Sequence, residues 1–274
     1  TLVGFEALLS QAVGAGDDRA YRLALQRGLV LAALLAVPFG LLLWPTAPLL
    51  RAIGQPAEII APAARFTRIS IAGILPLLGF IVLRQALQAR NRVRPVVIAI
   101  LVANAVNAAL NWVLVFGRVG LPALGTDGSA IASAVARWTL VGALVVAART
   151  DLAPHLATRE SGAADPRALA RMLRLGVPVG VQYLLEVGVF AAVALLMGTL
   201  ATQTLAAHQV AISLASLTFM IPLGIGAATS VLVGQAIGRD DPDGARRAAT
   251  AGLLVGALDG APFWLPTTNS LLRR

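Results

Sequence analysis

The chain alternates long apolar runs with short polar connections. Runs beyond about 18 apolar residues are long enough to cross a bilayer as helices. The pattern predicts about eight such segments: a partial one over 1–14, then 28–50, 66–86, 95–117, 128–148, 175–198, 205–236 and 248–265. The stretches 28–50 and 95–117 carry no charge, whereas Arg137 interrupts the fifth segment and Glu186 the sixth. The seventh is too long to stand perpendicular, so tilt or a kink at Pro222 is expected. The longest polar stretch, 149–173, is punctuated by Pro, Asp, Ser and Gly and reads as a cytoplasmic linker. It separates an N-terminal lobe, 1–148, from a C-terminal lobe, 174–274, of about three helices.

An internal repeat supports two halves. Ser10-Gln11-Ala12-Val13-Gly14 recurs 224 residues later as Gly234-Gln235-Ala236-Ile237-Gly238. Acids follow both copies, Asp17 and Asp18 in one and Asp240 and Asp241 in the other, and then arginines. An even number of segments lies between them, so both copies run the same way through the membrane. That predicts an all-α bundle of two pseudo-symmetric lobes related by an axis along the membrane normal. The chain opens on Thr1 within an apolar run, with no basic leader, and reads as starting inside a spanning helix.

Charge fixes orientation. The net charge of +9 rests on 22 basic residues, all Arg. On one side of the segments lie Arg19, Arg22 and Arg27; Arg90, Arg92 and Arg94; Arg149, Arg159, Arg167, Arg171 and Arg174; and Arg239, Arg246 and Arg247. The other side holds Arg51, Arg118, Arg273 and Arg274, with Arg65 and Arg68 at its boundary. The Arg-rich side is cytoplasmic by the positive-inside rule. No nucleic-acid motif accompanies the basic balance, so no nucleic-acid partner is expected. Charged residues make up 13% of the chain, about half of what a soluble domain carries. The mean hydropathy of +0.80 agrees with a lipid surrounding. Cysteine is absent, which excludes thiolate metal sites and Cys nucleophiles.

A charge at membrane depth costs roughly 2.5–3.5 kcal/mol on insertion scales, so a carboxylate there is a functional candidate. Glu186 lies near the centre of its segment, with Gln182 a turn before it and Phe190 a turn after on the same face. Its carboxyl could carry a proton or hold a sodium ion; a structural pairing between helices is the alternative. Asn104, Asn107 and Asn111, spaced i, i+3, i+7, form a stripe that should face inward. Amide oxygens there could coordinate Na⁺, or the amides could simply join helices. Arg137 reads as a counter-ion or as a side chain that reaches along its stem to water. His208 and Gln209 read as a helix-end pair, and Asp259 as a weaker membrane acid.

The ordered set LLEVGVF, AAHQ, FMIPLG and VGQAIG within Leu175–Gly238 resembles the seventh and eighth helices of the MATE family, in its NorM-like branch. SQAVGAGD is similar to the end of that family's second helix and NAALNWVLVFG to its fifth. The resemblance runs from within the second helix to the ninth of twelve. It implies a polytopic, multi-pass protein of a bacterial inner membrane that exports amphipathic organic cations in exchange for Na⁺ or H⁺. No cofactor beyond that coupling ion, no enzymatic activity and a monomeric state are implied. On this resemblance Glu186 falls on the family's cation-coupling acid, and Asn107 and Asn111 on fifth-helix polar positions. Ser133 matches a sixth-helix hydroxyl, and Gln182, Asn104 and Tyr183 join it as candidates for an ion or substrate cleft. Rival readings are a flippase for lipid-linked precursors, an intramembrane prenyl-transferring enzyme, and an inactive remnant. A flippase would need a broader cationic cleft, and the enzyme an acid-rich pyrophosphate motif.

Overall fold

In lipid a backbone must satisfy its own hydrogen bonds, and apolar runs of this length do so as helices. In a computed structural model every described element is an α-helix. The described residues are 5–52, 54, 57–158, 160–200 and 202–271; the side chains of 191, 194–200, 202–208 and 258–271 are outside that set. His208, Asp259, Arg159, Arg273 and Arg274 therefore lie outside the described side chains. The helices are α1 Phe5–Gly14, α2 Asp18–Leu43, α3 Thr46–Ala52, α4 Ala57–Ile71, α5 Ile74–Ala89 and α6 Arg94–Phe116. They continue with α7 Gly125–Ala147, α8 Arg149–Leu156, α9 Pro166–Leu200, α10 Thr202–Gly238 and α11 Pro242–Leu271.

Among the described residues five helices are long and apolar enough to span: α2, α6, α7 and parts of α9 and α10. A sixth forms if α4 and α5, bent by 46°, count as one. The third segment is thus a broken span rather than one straight helix over 66–86. Pro76 supplies the reason. It has no N–H to offer the carbonyl of Ala72, four residues back, and its ring crowds that carbonyl. The chain tightens there, with Ala72 and Gly73 donating to Ile69 and Ser70 at 3.2 and 3.0 Å. The second segment also differs: α2 begins at Asp18 and ends at Leu43, and α3 is a separate short helix. Part of the polar stretch 149–173 is helical, as α8 and the first turns of α9.

The chain divides into two compact units, one of residues 22–169 and one that joins α1 to residues 170–274. In the first unit α6 and α7 form an antiparallel hairpin. Gly117 ends α6 in the left-handed region at φ 66°, which costs glycine no steric penalty. Leu124 then donates to the Leu114 carbonyl at 2.9 Å. Ala99, Ala103, Ala130, Ala132 and Ala134 of these two helices are buried, as small side chains let membrane helices approach closely. One end of this unit gathers the basic elbows. Arg22 pairs with Glu160 at 2.8 Å and Arg92 with Asp151 at 3.4 Å, and Arg27 donates to the Gly162 carbonyl at 3.1 Å. At the other end Arg65 meets Asp127 at 3.1 Å and Arg68 lies over the Trp44 ring.

In the second unit the sequence repeat is reproduced bond for bond. Asp17 caps α2 by accepting from Ala20 N–H at 2.8 Å, and Asp241, 224 residues on, caps α11 by accepting from Gly244 N–H at 2.7 Å. Asp17 N–H donates to Ala12 and Asp241 N–H to Ala236, both at 3.0 Å. Gly16 and Asp240 both adopt the left-handed conformation, at φ 66° and 58°. The equivalent acids are therefore Asp17 and Asp241, with Gly16 opposite Asp240. The two copies also touch. A Cβ on Gly14 would collide with the Gln235 carbonyl, and one on Gly238 with the Gln11 carbonyl. At Gly234 it would come within 2.6 Å of Ser10 Cβ. A contact of position 10 with its own equivalent, flanked by reciprocal 11–14 contacts, is what parallel helices related by a two-fold axis produce.

Candidate functional site

Asn104 and Asn107 project from the middle of α6, and Ser133 and Arg137, one turn apart, from the middle of α7. The structure brings these four together. They line a cleft of about 330 Å³ with Ile100, Ala103, Ala136 and Leu140, at the small end of the usual size of small-molecule sites. Asn111 does not line it. Its Nδ2 donates to Asn107 O at 2.9 Å and to Asn107 Oδ1 at 3.2 Å. The amide oxygen of Asn107 is thereby engaged, and its Nδ2 remains as the group to be offered elsewhere.

Arg137 is held by the broken span. Its Nη1 donates to the Ser70 carbonyl at 3.4 Å, and neighbouring Trp138 donates from Nε1 to the Ala72 carbonyl at 3.1 Å. Both carbonyls belong to the turn where Pro76 interrupts the helical ladder. Gly73 makes room, since a Cβ there would stand 2.7 Å from Arg137 Cδ. Arg137 is thus a positioned charge, not a side chain stretched to water. Its part in the site is what sequence reasoning missed; the available signals were Ser133 four residues before it and Pro76 in the facing span. None of the residues that line the cleft is acidic. A second cation about 6 Å from this guanidinium would be opposed by about 3 kcal/mol at an effective dielectric of about 20.

Glu186 stands in the other unit, on α9. Gln182, Tyr183, Glu186 and Phe190 are all exposed, whereas a buried carboxyl was expected. The cause is local: α9 packs sparsely on the other described helices. Glu186 has no salt bridge or hydrogen bond to another side chain among the described residues, so none of the described guanidinium groups locks it. A second cleft, of about 320 Å³, lies between α3 and α4, and Arg51, Arg65 and Arg68 are among its lining residues.

The MatE family model matches residues 1–113 and 178–268. A probable multidrug resistance protein NorM of Bradyrhizobium diazoefficiens is 39% identical over 251 residues, which are 91% of this chain and 54% of that protein. The multidrug resistance protein NorM of Vibrio cholerae is 32% identical over 257 residues, 93% of this chain and 56% of that protein. The crystal structure of the eukaryotic MATE transporter AtDTX14 superposes with a TM-score of 0.79 at 26% identity, covering 92% of this chain and 56% of that one. An outward-facing multidrug resistance MATE transporter superposes with a TM-score of 0.81 at 18% identity, over 95% of this chain and 58% of that one, which shows the shared fold. The chain spans about half the length of the curated relatives it matches.

Proposed function

Because the chain belongs to the MatE family of multi-pass membrane transporters, we propose that it acts in secondary active multidrug efflux, exchanging amphipathic organic cations for Na⁺ or H⁺ across a bacterial inner membrane. In this reading the lobes are 1–148 and 174–274 around the linker 149–173, and the protein works as a monomer in the bilayer. One observation carries the proposal: a carboxylate, Glu186, stands within the apolar stretch of α9 with no side-chain partner among the described residues. A group placed so can take a cation from one side and release it to the other, and its loading changes the affinity for a cationic substrate by their mutual repulsion. Gln182 and Tyr183, within a turn, are placed to steady the ion.

The test is the full-length protein in proteoliposomes, with sodium and proton gradients imposed separately. Glu186→Gln, which keeps shape and removes charge, is expected to abolish gradient-driven export of a lipophilic cation while leaving the folded bundle intact. Export at the wild-type rate in that variant refutes the assignment.

A further inference from the structure

We infer that the cleft between α3 and α4, walled by Arg51, Arg65 and Arg68, is a headgroup site that holds the phosphodiester of an anionic phospholipid. It stands apart from Glu186 and does not depend on what the protein exports. The three arginines line a cleft of about 320 Å³, whose other lining residues are alanines and Ile60. They lie at the arginine-poor end of the 22–169 unit, away from the elbows that gather Arg22, Arg27 and Arg92. One acid pairs with them: Asp127 meets Arg65 Nε at 3.1 Å, and the Arg65 side chain still remains 62% exposed. Arg51 is exposed, and its side chain has no ion pair or hydrogen bond among the described residues. Arg68 stacks on Trp44, with the guanidinium carbon 5.6 Å from the ring centre. Stacking uses the face of the guanidinium and leaves the N–H groups at its rim to donate. Glu58, in the first turn of α4, does not line the cleft. Three guanidinium groups against Asp127 leave an excess of two positive charges. Phosphate oxygens only accept, and a guanidinium fork meets them in parallel pairs.

Depth favours a lipid over a free anion. A hydrocarbon core of about 30 Å takes about twenty helical residues. Counted back from Ala89, where α5 ends beside Arg90, that length reaches about Ser70. The 46° bend between α4 and α5 shortens the rise, which moves the boundary closer still to Arg68 and Arg65. Both arginines therefore stand at the level of lipid phosphates. Trp44, directly after α2 and exposed, is an aromatic of the kind that marks this level. Leu49 on α3, and Ile59 and Phe66 on α4, are exposed apolar side chains of the same two helices. They suit the acyl chains that a soluble anion lacks.

The experiment counts the lipids held by the full-length protein. Purified protein in detergent is mixed with equal amounts of phosphatidylglycerol and phosphatidylcholine, and native mass spectrometry reads what is retained. The wild type is expected to hold phosphatidylglycerol at least about fivefold over phosphatidylcholine, the factor that one arginine near an anionic lipid contributes. Arg51→Gln, which breaks no side-chain contact of the fold, is expected to cut that ratio about fivefold. Arg68→Gln is expected to act in the same direction, and Arg51→Lys to keep most of the preference because it keeps the charge. Arg118→Gln, beyond α6 at the same end but outside the cleft, is expected to leave the ratio unchanged. A second arm adds inorganic phosphate in large excess, which is expected to leave the bound phosphatidylglycerol in place. Its displacement would make this a site for free anions and overturn the lipid assignment. Equal retention of both lipids by the wild type overturns it too, as does an unchanged ratio in both Arg51→Gln and Arg68→Gln. A loss in Arg118→Gln as large as in Arg51→Gln would show that net charge acts without a site.

Discussion

Arg137 shows how one residue can be fixed by what its neighbours lack. Gly73 has no side chain and leaves space for the guanidinium, whose Nη1 reaches the Ser70 carbonyl, while Pro76 has no N–H, and the Ala72 carbonyl it leaves open is taken by Trp138 Nε1. Gly73→Ala places a methyl 2.7 Å from Arg137 Cδ, an overpacking that costs about 1–3 kcal/mol. Thermal unfolding in detergent is expected to show a lowered Tm. Gly79, inside α5, has nothing within 4 Å of an added Cβ. Gly79→Ala is expected to be neutral or to stabilise by up to about 1 kcal/mol, as for a helix-interior glycine. Equal destabilisation by both changes would show that Gly73 is not making room for Arg137.

At the scale of elements, the α1–α10 crossing is the clearest case of sequence symmetry becoming contact symmetry. Gly14 and Gly238 each face the backbone carbonyl of the other copy's glutamine, and a backbone cannot step aside as a side chain can. Gly14→Ala and Gly238→Ala are expected to destabilise by similar amounts, about 1–3 kcal/mol each. The double variant is expected to cost less than their sum, because one separation of the helices relieves both clashes. Additive costs in denaturation measurements would mean that the two contacts are independent. The break between α4 and α5 is an element-scale feature of a different kind. Its carbonyls are recovered by side chains of α7, Arg137 and Trp138, as irregular backbone at membrane depth requires.

For the whole molecule, the distribution of arginine is matched by the folded contacts of the 22–169 unit. Arg22, Arg27 and Arg92 converge on residues 151–162 at one end, while Arg65 and Asp127 meet at the other. The absence of cysteine makes the orientation measurable with single substitutions. Val119→Cys, beyond α6, is expected to react with an impermeant maleimide in intact cells. Ser161→Cys, beside Glu160, is expected to react only after the membrane is opened. The reverse pattern would invert the topology.

Most of the helices and the repeat were legible in the order of residues along the chain, because apolar length and the 224-residue offset are properties of that order, though not the breaks that divide α2 from α3 and α4 from α5. The sequence also singled out Glu186 and the asparagine stripe, since polar groups in apolar runs are conspicuous. Only the tertiary structure decided which polar groups share a cleft. Ser133 and Arg137 join Asn104 and Asn107 because α6 and α7 pack against each other, and Asn111 falls away because it turns to Asn107. The sequence shows Pro76 and Arg137 as separate breaker and charge. Their partnership depends on α7 lying against the broken span, a proximity of residues some 60 positions apart that no local pattern encodes.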